Sequence, residues 1–81
     1  MIVFTIHVLE RMRSRRISRN EIISCIESPD RTLKLNGIFR AVKKEDDKVL
    51  VAMYRKSNND VIVVTAYRSA KKEKYLQQIR M

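Results

Sequence analysis

The chain reads as an α+β domain: two N-terminal helices, then a three- to four-stranded antiparallel sheet, then a C-terminal helix. Three observations carry this. Apolar residues recur at helical spacing up to Pro29, alternation takes over after it, and helical spacing returns in the tail "AKKEKYLQQIRM". With no repeat and no linker-like stretch, the 81 residues form one domain spanning 1–81.

The opening "IVFTI" is short and alternates little, so it is either an added strand or an extended lead-in. Thr5 suits the N-cap of a first helix over Ile6 to Arg15, with Val8, Leu9 and Met12 as a narrow apolar stripe. Ser18-Arg19-Asn20-Glu21 has the form of a capping box. The helix it starts carries Ile22, Ile23 and Ile26 on one side and stops at "SPD", because Pro29 cannot continue it. "RTLKL" and "IFRAV" flank Asn36-Gly37, the strongest turn signal in the chain. An acidic turn precedes "KVLVAMYRK", and "SNND" leads into "VIVVTAYRS". Short polar connections of this kind predict an antiparallel meander, with one face packed on the helices. Tyr75, Leu76 and Ile79 give the tail its helical spacing.

Composition narrows the function. Eighteen basic against nine acidic residues leave a net charge of +9, and four of the nine acids (Glu45, Asp46, Asp47, Asp60) fall in two turns. The remaining surface is therefore more cationic than the average, which favours polyanions: nucleic acid first, an acidic protein second. A single Cys25 among isoleucines reads as a small buried apolar residue in a reducing cytoplasm. One Cys and one His do not make a four-ligand zinc site, so no metal or cofactor is expected. No apolar run reaches membrane-spanning length, and "MIVFTIHV" lacks a signal-peptide pattern. One glycine and no glycine-rich phosphate loop exclude nucleotide hydrolysis.

Period two assigns Val61, Val63, Thr65 and Tyr67 to one sheet face and Ile62, Val64, Ala66 and Arg68 to the other, the second set suiting the helix side. Arg40 projects between Ile38 and Val42, unusual company for a charge, and Arg55 shares a face with Val49, Val51 and Met53. His7 and Arg11, four apart, line one helical face. RNA cleavage needs a base for the 2′-OH, an acid for the leaving oxygen and cations for the phosphorane. Histidine can serve as either proton carrier near neutrality. His7 equally suits a structural helix-cap role, and Tyr54, Tyr67 and Tyr75 suit core or rim positions as well as base-stacking ones. Arg68, Lys71, Lys72 and Lys74 lie just beyond Thr65 and Tyr67, either as a solvated helical face or as phosphate contacts.

The stretch "FTIHVLERMRSRRISRNEIISCIESPD" resembles the opening of a family of small uncharacterised prokaryotic domains. Its pattern is Ser/Thr-x-His, Glu-Arg-Met, Arg-Gly-Ile-Ser/Thr, a short helix and Asn/Ser-Pro-Asp. "VIVVTAYRSAKKEKYL" resembles the close of that family, and Arg16 stands where it usually carries glycine. The family is grouped with RelE-like and BrnT-like toxins and the colicin D nuclease domain, all of barnase-like layout. The resemblance implies a metal-independent endoribonuclease, the toxin of a toxin–antitoxin pair, in the cytoplasm. Carried over, His7 is general base or acid, with Tyr67 as a partner in proton transfer. Arg11 and Arg40 stabilise the phosphorane and Thr65 holds a phosphate oxygen, while Arg15, Arg68, Lys71, Lys72 and Lys74 bind flanking phosphates. The partners implied are RNA and a small acidic antitoxin, and a homodimer is compatible with the sequence. The alternative is a basic nucleic-acid-binding module or assembly partner without catalysis.

Overall fold

A computed structural model describes residues 1–76. The elements are β1 (Ile2–Phe4), α1 (Ile6–Arg15), α2 (Arg19–Glu27), β2 (Arg31–Leu35), β3 (Ile38–Lys44), β4 (Val49–Ser57), β5 (Asp60–Ser69) and α3 (Lys72–Leu76). The strands form one five-stranded sheet in the order β1-β5-β4-β3-β2.

Local chemistry places the helices where the sequence expects them. The Thr5 hydroxyl accepts from the Val8 N–H and so caps α1. Ser18 and Glu21 satisfy each other's backbone N–H groups at the start of α2. Between the helices, Arg16 adopts the left-handed conformation (φ 59°, ψ 46°), and the Arg16 and Ile17 N–H groups donate back to Arg13 and Met12. The corner is the same one glycine would make. Arg16 holds it at a cost of ~1 kcal/mol, which burial of Ile17 helps to offset. Asn36 and Gly37 both have positive φ, the two-residue turn that matches strand twist.

The sheet differs from the expected antiparallel meander in two ways. The opening segment is a strand, and it pairs parallel with β5 through Ile2–Val61, Val3–Ile62 and Phe4–Val63. The sheet is therefore mixed and five-stranded, not antiparallel with three or four strands. Second, β5 carries a bulge. Tyr54 faces Val63 and Met53 faces Thr65, so Val64 is left over, 45% exposed. The extra residue reverses the alternation partway along the strand. Val61, Val63, Ala66 and Arg68 follow the helix side, and Ile62, Thr65 and Tyr67 the other, so strict period two mis-sorted half of each set.

Both faces are covered, unequally. On one, α1 and α2 bury Val8, Met12, Ile17, Ile22 and Cys25 against Ala41, Leu50, Ala52, Val63 and Ala66. Cys25 is fully buried, and its thiol donates weakly to the Ala41 and Leu50 carbonyls. Burial pushes that thiol up to about 11, so it stays protonated and packs as a small apolar group. On the opposite face α3 folds back and sets Tyr75 and Leu76 on Val42, Val49, Val51, Met53 and Tyr67. The tail thus leaves the other helices to cover the second face; Ile79 of the expected stripe lies outside the described residues. Among the described residues no helix is long and apolar enough to cross a membrane.

Candidate functional site

The α3-covered face holds a cation in unusual surroundings. Register places Arg40 opposite Leu33 on one side and Met53 on the other, with Thr65 next in the same row. Its Cζ lies 5.0 Å from the centroid of the Tyr75 ring. Its Nε is buried and has no hydrogen-bond partner among the described residues. An unmatched guanidinium N–H out of water is costly. Arg40 as a whole is only half-buried, so an anion would meet the accessible part of a guanidinium already partly stripped of water.

Beside it sits a hydroxyl pair. The Tyr67 and Tyr75 phenol oxygens are 3.1 Å apart, and the rings meet edge to face with centroids 6.1 Å apart. Burial, then the hydrogen bond to Tyr75, pushes the Tyr67 phenol up to about 12, although Arg40 and Arg15 pull the other way. The phenol is therefore a hydrogen-bond donor at neutral pH and a poor base.

Arg15 joins from the edge of the sheet. β1 covers β5 only as far as Val63; beyond that point the Arg15 Nη1 donates to the Ala66 carbonyl at 2.8 Å. At roughly 100° per residue, Arg11 stacks one turn behind Arg15 on the same flank of α1, and His7 continues it toward the N-terminus. The His7 and Arg11 residues are exposed, and their side chains form no hydrogen bond or ion pair among the described residues.

Arg68 aside, the site residues expected from sequence thus fall into three groups. Arg40, Thr65 and Tyr67 share one face, and Tyr75 belongs with them. His7, Arg11 and Arg15 belong to α1, which packs on the other face, and of these only Arg15 is seen to reach β5. The lysines differ among themselves: the Lys74 Nζ lies 5.4 Å from the Tyr75 ring centroid, the Lys72 Nζ donates to the Asp46 carbonyl, and Lys71 is exposed.

Arg68 stands apart, because its charge is spent inside the molecule. It pairs with Glu21 of α2 and with Glu45 of the β3–β4 turn, and its Nη1 donates to the Arg16 carbonyl. The Glu45 partner chiefly raises its pKa, which keeps it a fixed cation. Glu21 is held below the usual carboxylate range, first by the Ser18 N–H and also by Arg68. Arg68 clasps helix, corner and turn together, with both of its ion pairs made inside the molecule.

Sequence reasoning weighs Tyr75 as a core, rim or base-stacking residue but does not pair it with Tyr67, because the tail helix alone gives no sign that it turns back over the far face. Its spacing of eight from Tyr67, across the end of a strand, is the one signal that could have paired them. No group of three or more His, Cys, Asp or Glu side chains able to hold a metal ion occurs among the described residues.

A family model described as a domain of unknown function, DUF4258, matches residues 4–68. No curated protein and no solved structure matches the chain.

Proposed function

We propose that this chain, which belongs to the DUF4258 family, binds RNA on the Arg40–Tyr67–Tyr75 face and cleaves it without a metal, as the toxin of a toxin–antitoxin pair. The observation that carries the reading is Arg40, a partly desolvated guanidinium with an unsatisfied N–H and no carboxylate partner among the described residues. In this reading Arg40 takes a non-bridging phosphate oxygen and stabilises the charge that grows on it during attack. Thr65, next in the row, holds a second oxygen, and Tyr67 donates to the phosphoryl group or to the leaving 5′-oxygen. The 2′-hydroxyl oxygen bonds to phosphorus, its proton passes to the base, and the 5′-oxygen departs with a proton, leaving a 2′,3′-cyclic phosphate. This reading needs His7, as the proton carrier, and Arg11, as its neighbouring cation, to act round the edge of β5 beyond Val63, where Arg15 of the same helix reaches the Ala66 carbonyl. Arg15 and Lys74 hold flanking phosphates. The net charge of +9 suits a small acidic antitoxin as the protein partner.

One observation favours a second reading, a non-catalytic RNA-binding module: α1, which carries His7, packs on the sheet face opposite Arg40. Incubating the purified protein with single-stranded RNA in EDTA separates the two. The enzyme reading expects 2′,3′-cyclic phosphate ends that disappear in His7→Ala and in Arg40→Ala. RNA that is bound but uncut at micromolar protein selects the binding module, and absence of binding rejects both. Expression in a host should arrest growth, relieved by an acidic protein encoded in the neighbouring reading frame.

A further inference from the structure

We infer that Phe39, flanked by Lys34 and Lys56, is a second RNA subsite, at which a nucleobase stacks on the ring while the lysines hold the adjoining phosphates. The inference rests on the RNA-binding reading above but on different residues, at the rim of the helix-covered face. Register sets Lys34, Phe39 and Tyr54 in one row across β2, β3 and β4, with Lys56 two residues beyond Tyr54. The Phe39 and Tyr54 rings stack with centroids 5.2 Å apart and planes 10° from parallel. Tyr54 is buried and anchors the stack, whereas Phe39 is only half-buried. The ammonium groups of Lys56 and Lys34 lie 4.9 and 5.6 Å from the Phe39 ring centroid.

Both lysines are exposed, and neither forms an ion pair with a carboxylate among the described residues. Their nearest compensation is the π-face of the ring, a weak partner for an exposed ammonium. Tyr54 backs the ring, so a base stacks by displacing the two exposed ammonium groups from over it, and the displaced lysines then hold its phosphates. The ligand such a site takes has both a flat π-system and negative charge. Single-stranded nucleic acid offers the two at the required closeness. An acidic peptide would engage the lysines and leave the ring unused, so the ring itself discriminates between the two partners. Phe39 and Arg40 are consecutive in β3 and point to opposite faces.

The test uses the full chain and two labelled probes of equal phosphate number, a 12-nucleotide oligoadenylate and its abasic counterpart, both 2′-O-methylated so that the proposed cleavage cannot consume them. The wild type should bind the oligoadenylate about fivefold or more tighter than the abasic strand. Phe39→Leu, which keeps apolar bulk, should abolish that preference and leave the abasic affinity unchanged. Phe39→Tyr should retain it, and so should Arg40→Ala, while binding both probes less tightly. The double variant Lys34→Gln/Lys56→Gln changes only exposed side chains. It should reduce the slope of log affinity against log salt by about 0.7 per lysine. A preference that survives in Phe39→Leu overturns the platform while leaving RNA binding intact, and so does an unchanged slope in the lysine variant. A wild type that binds neither probe overturns the RNA-binding reading itself.

Discussion

Arg40 and Arg68 lie on opposite faces of the same sheet, and their surroundings are opposite too. Arg68 reaches two carboxylates and a backbone carbonyl, so its charge ties α2, the inter-helix corner and the β3–β4 turn together. Arg40 has the Tyr75 ring and apolar neighbours, with its Nε left unmatched. A neutralised guanidinium is a structural part. One partly withdrawn from water, with a buried Nε unmatched and only an aromatic ring for a partner, gains most when an anion arrives. The two faces differ in the same sense: α1 and α2 close one over a continuous core, while the five-residue α3 covers part of the other and leaves cations and hydroxyls around its margin.

Perturbing each face in turn sharpens the contrast. The largest stability effect should come from Ile22→Ala beneath α2, where a fully buried side chain leaves a cavity. A loss of about 2–5 kcal/mol is expected, read by urea unfolding. Arg40→Ala should do the reverse, lowering RNA cleavage about 100-fold or more while unfolding free energy moves by less than about 1 kcal/mol. Comparable losses of stability in both variants would erase the distinction between the faces. Arg68→Met should cost about 1–2 kcal/mol by leaving Glu21 and Glu45 without their shared cation. It should leave the salt dependence of RNA binding unchanged; a shallower salt slope would return Arg68 to the phosphate contacts.

The smallest effect is a pH dependence of stability. The raised Tyr67 value means the folded state holds the phenol proton more tightly than the unfolded chain does. That contribution is complete below pH 10, the ordinary phenol value, and is lost as pH rises toward about 12. Unfolding midpoints measured between pH 9 and 12 should fall less steeply in Tyr67→Phe than in the wild type.

The helices were legible because their signals are local. Thr5, the Ser18–Glu21 box and Pro29 each act within four residues of where they stand, and both helix ends follow from them. Arg40 was legible for a similar reason, since a charge between Ile38 and Val42 is conspicuous in any strand. What escaped depends on distant partners. Three residues of β1 gain their identity only from β5, more than fifty positions away. The bulge at Val64 is set by pairing with β4, and no period-two pattern can announce it. Tyr75 joins Tyr67 because α3 turns back across the sheet, and Arg68 is paired because Glu21 and Glu45 converge on it from two other elements. Phe39 and its lysines come from three strands, and only register brings them together.

The two arginines also provide the most direct test of where the anion goes. In a spectrum of the arginine Nε–Hε groups, titrating in single-stranded 2′-O-methyl RNA should shift the Arg40 resonance progressively to saturation, as a phosphate settles against its guanidinium. The Arg68 resonance, already held by Glu45, should stay in place. An Arg40 signal that does not move while Arg68 shifts would contradict the assignment of the α3-covered face as the RNA site.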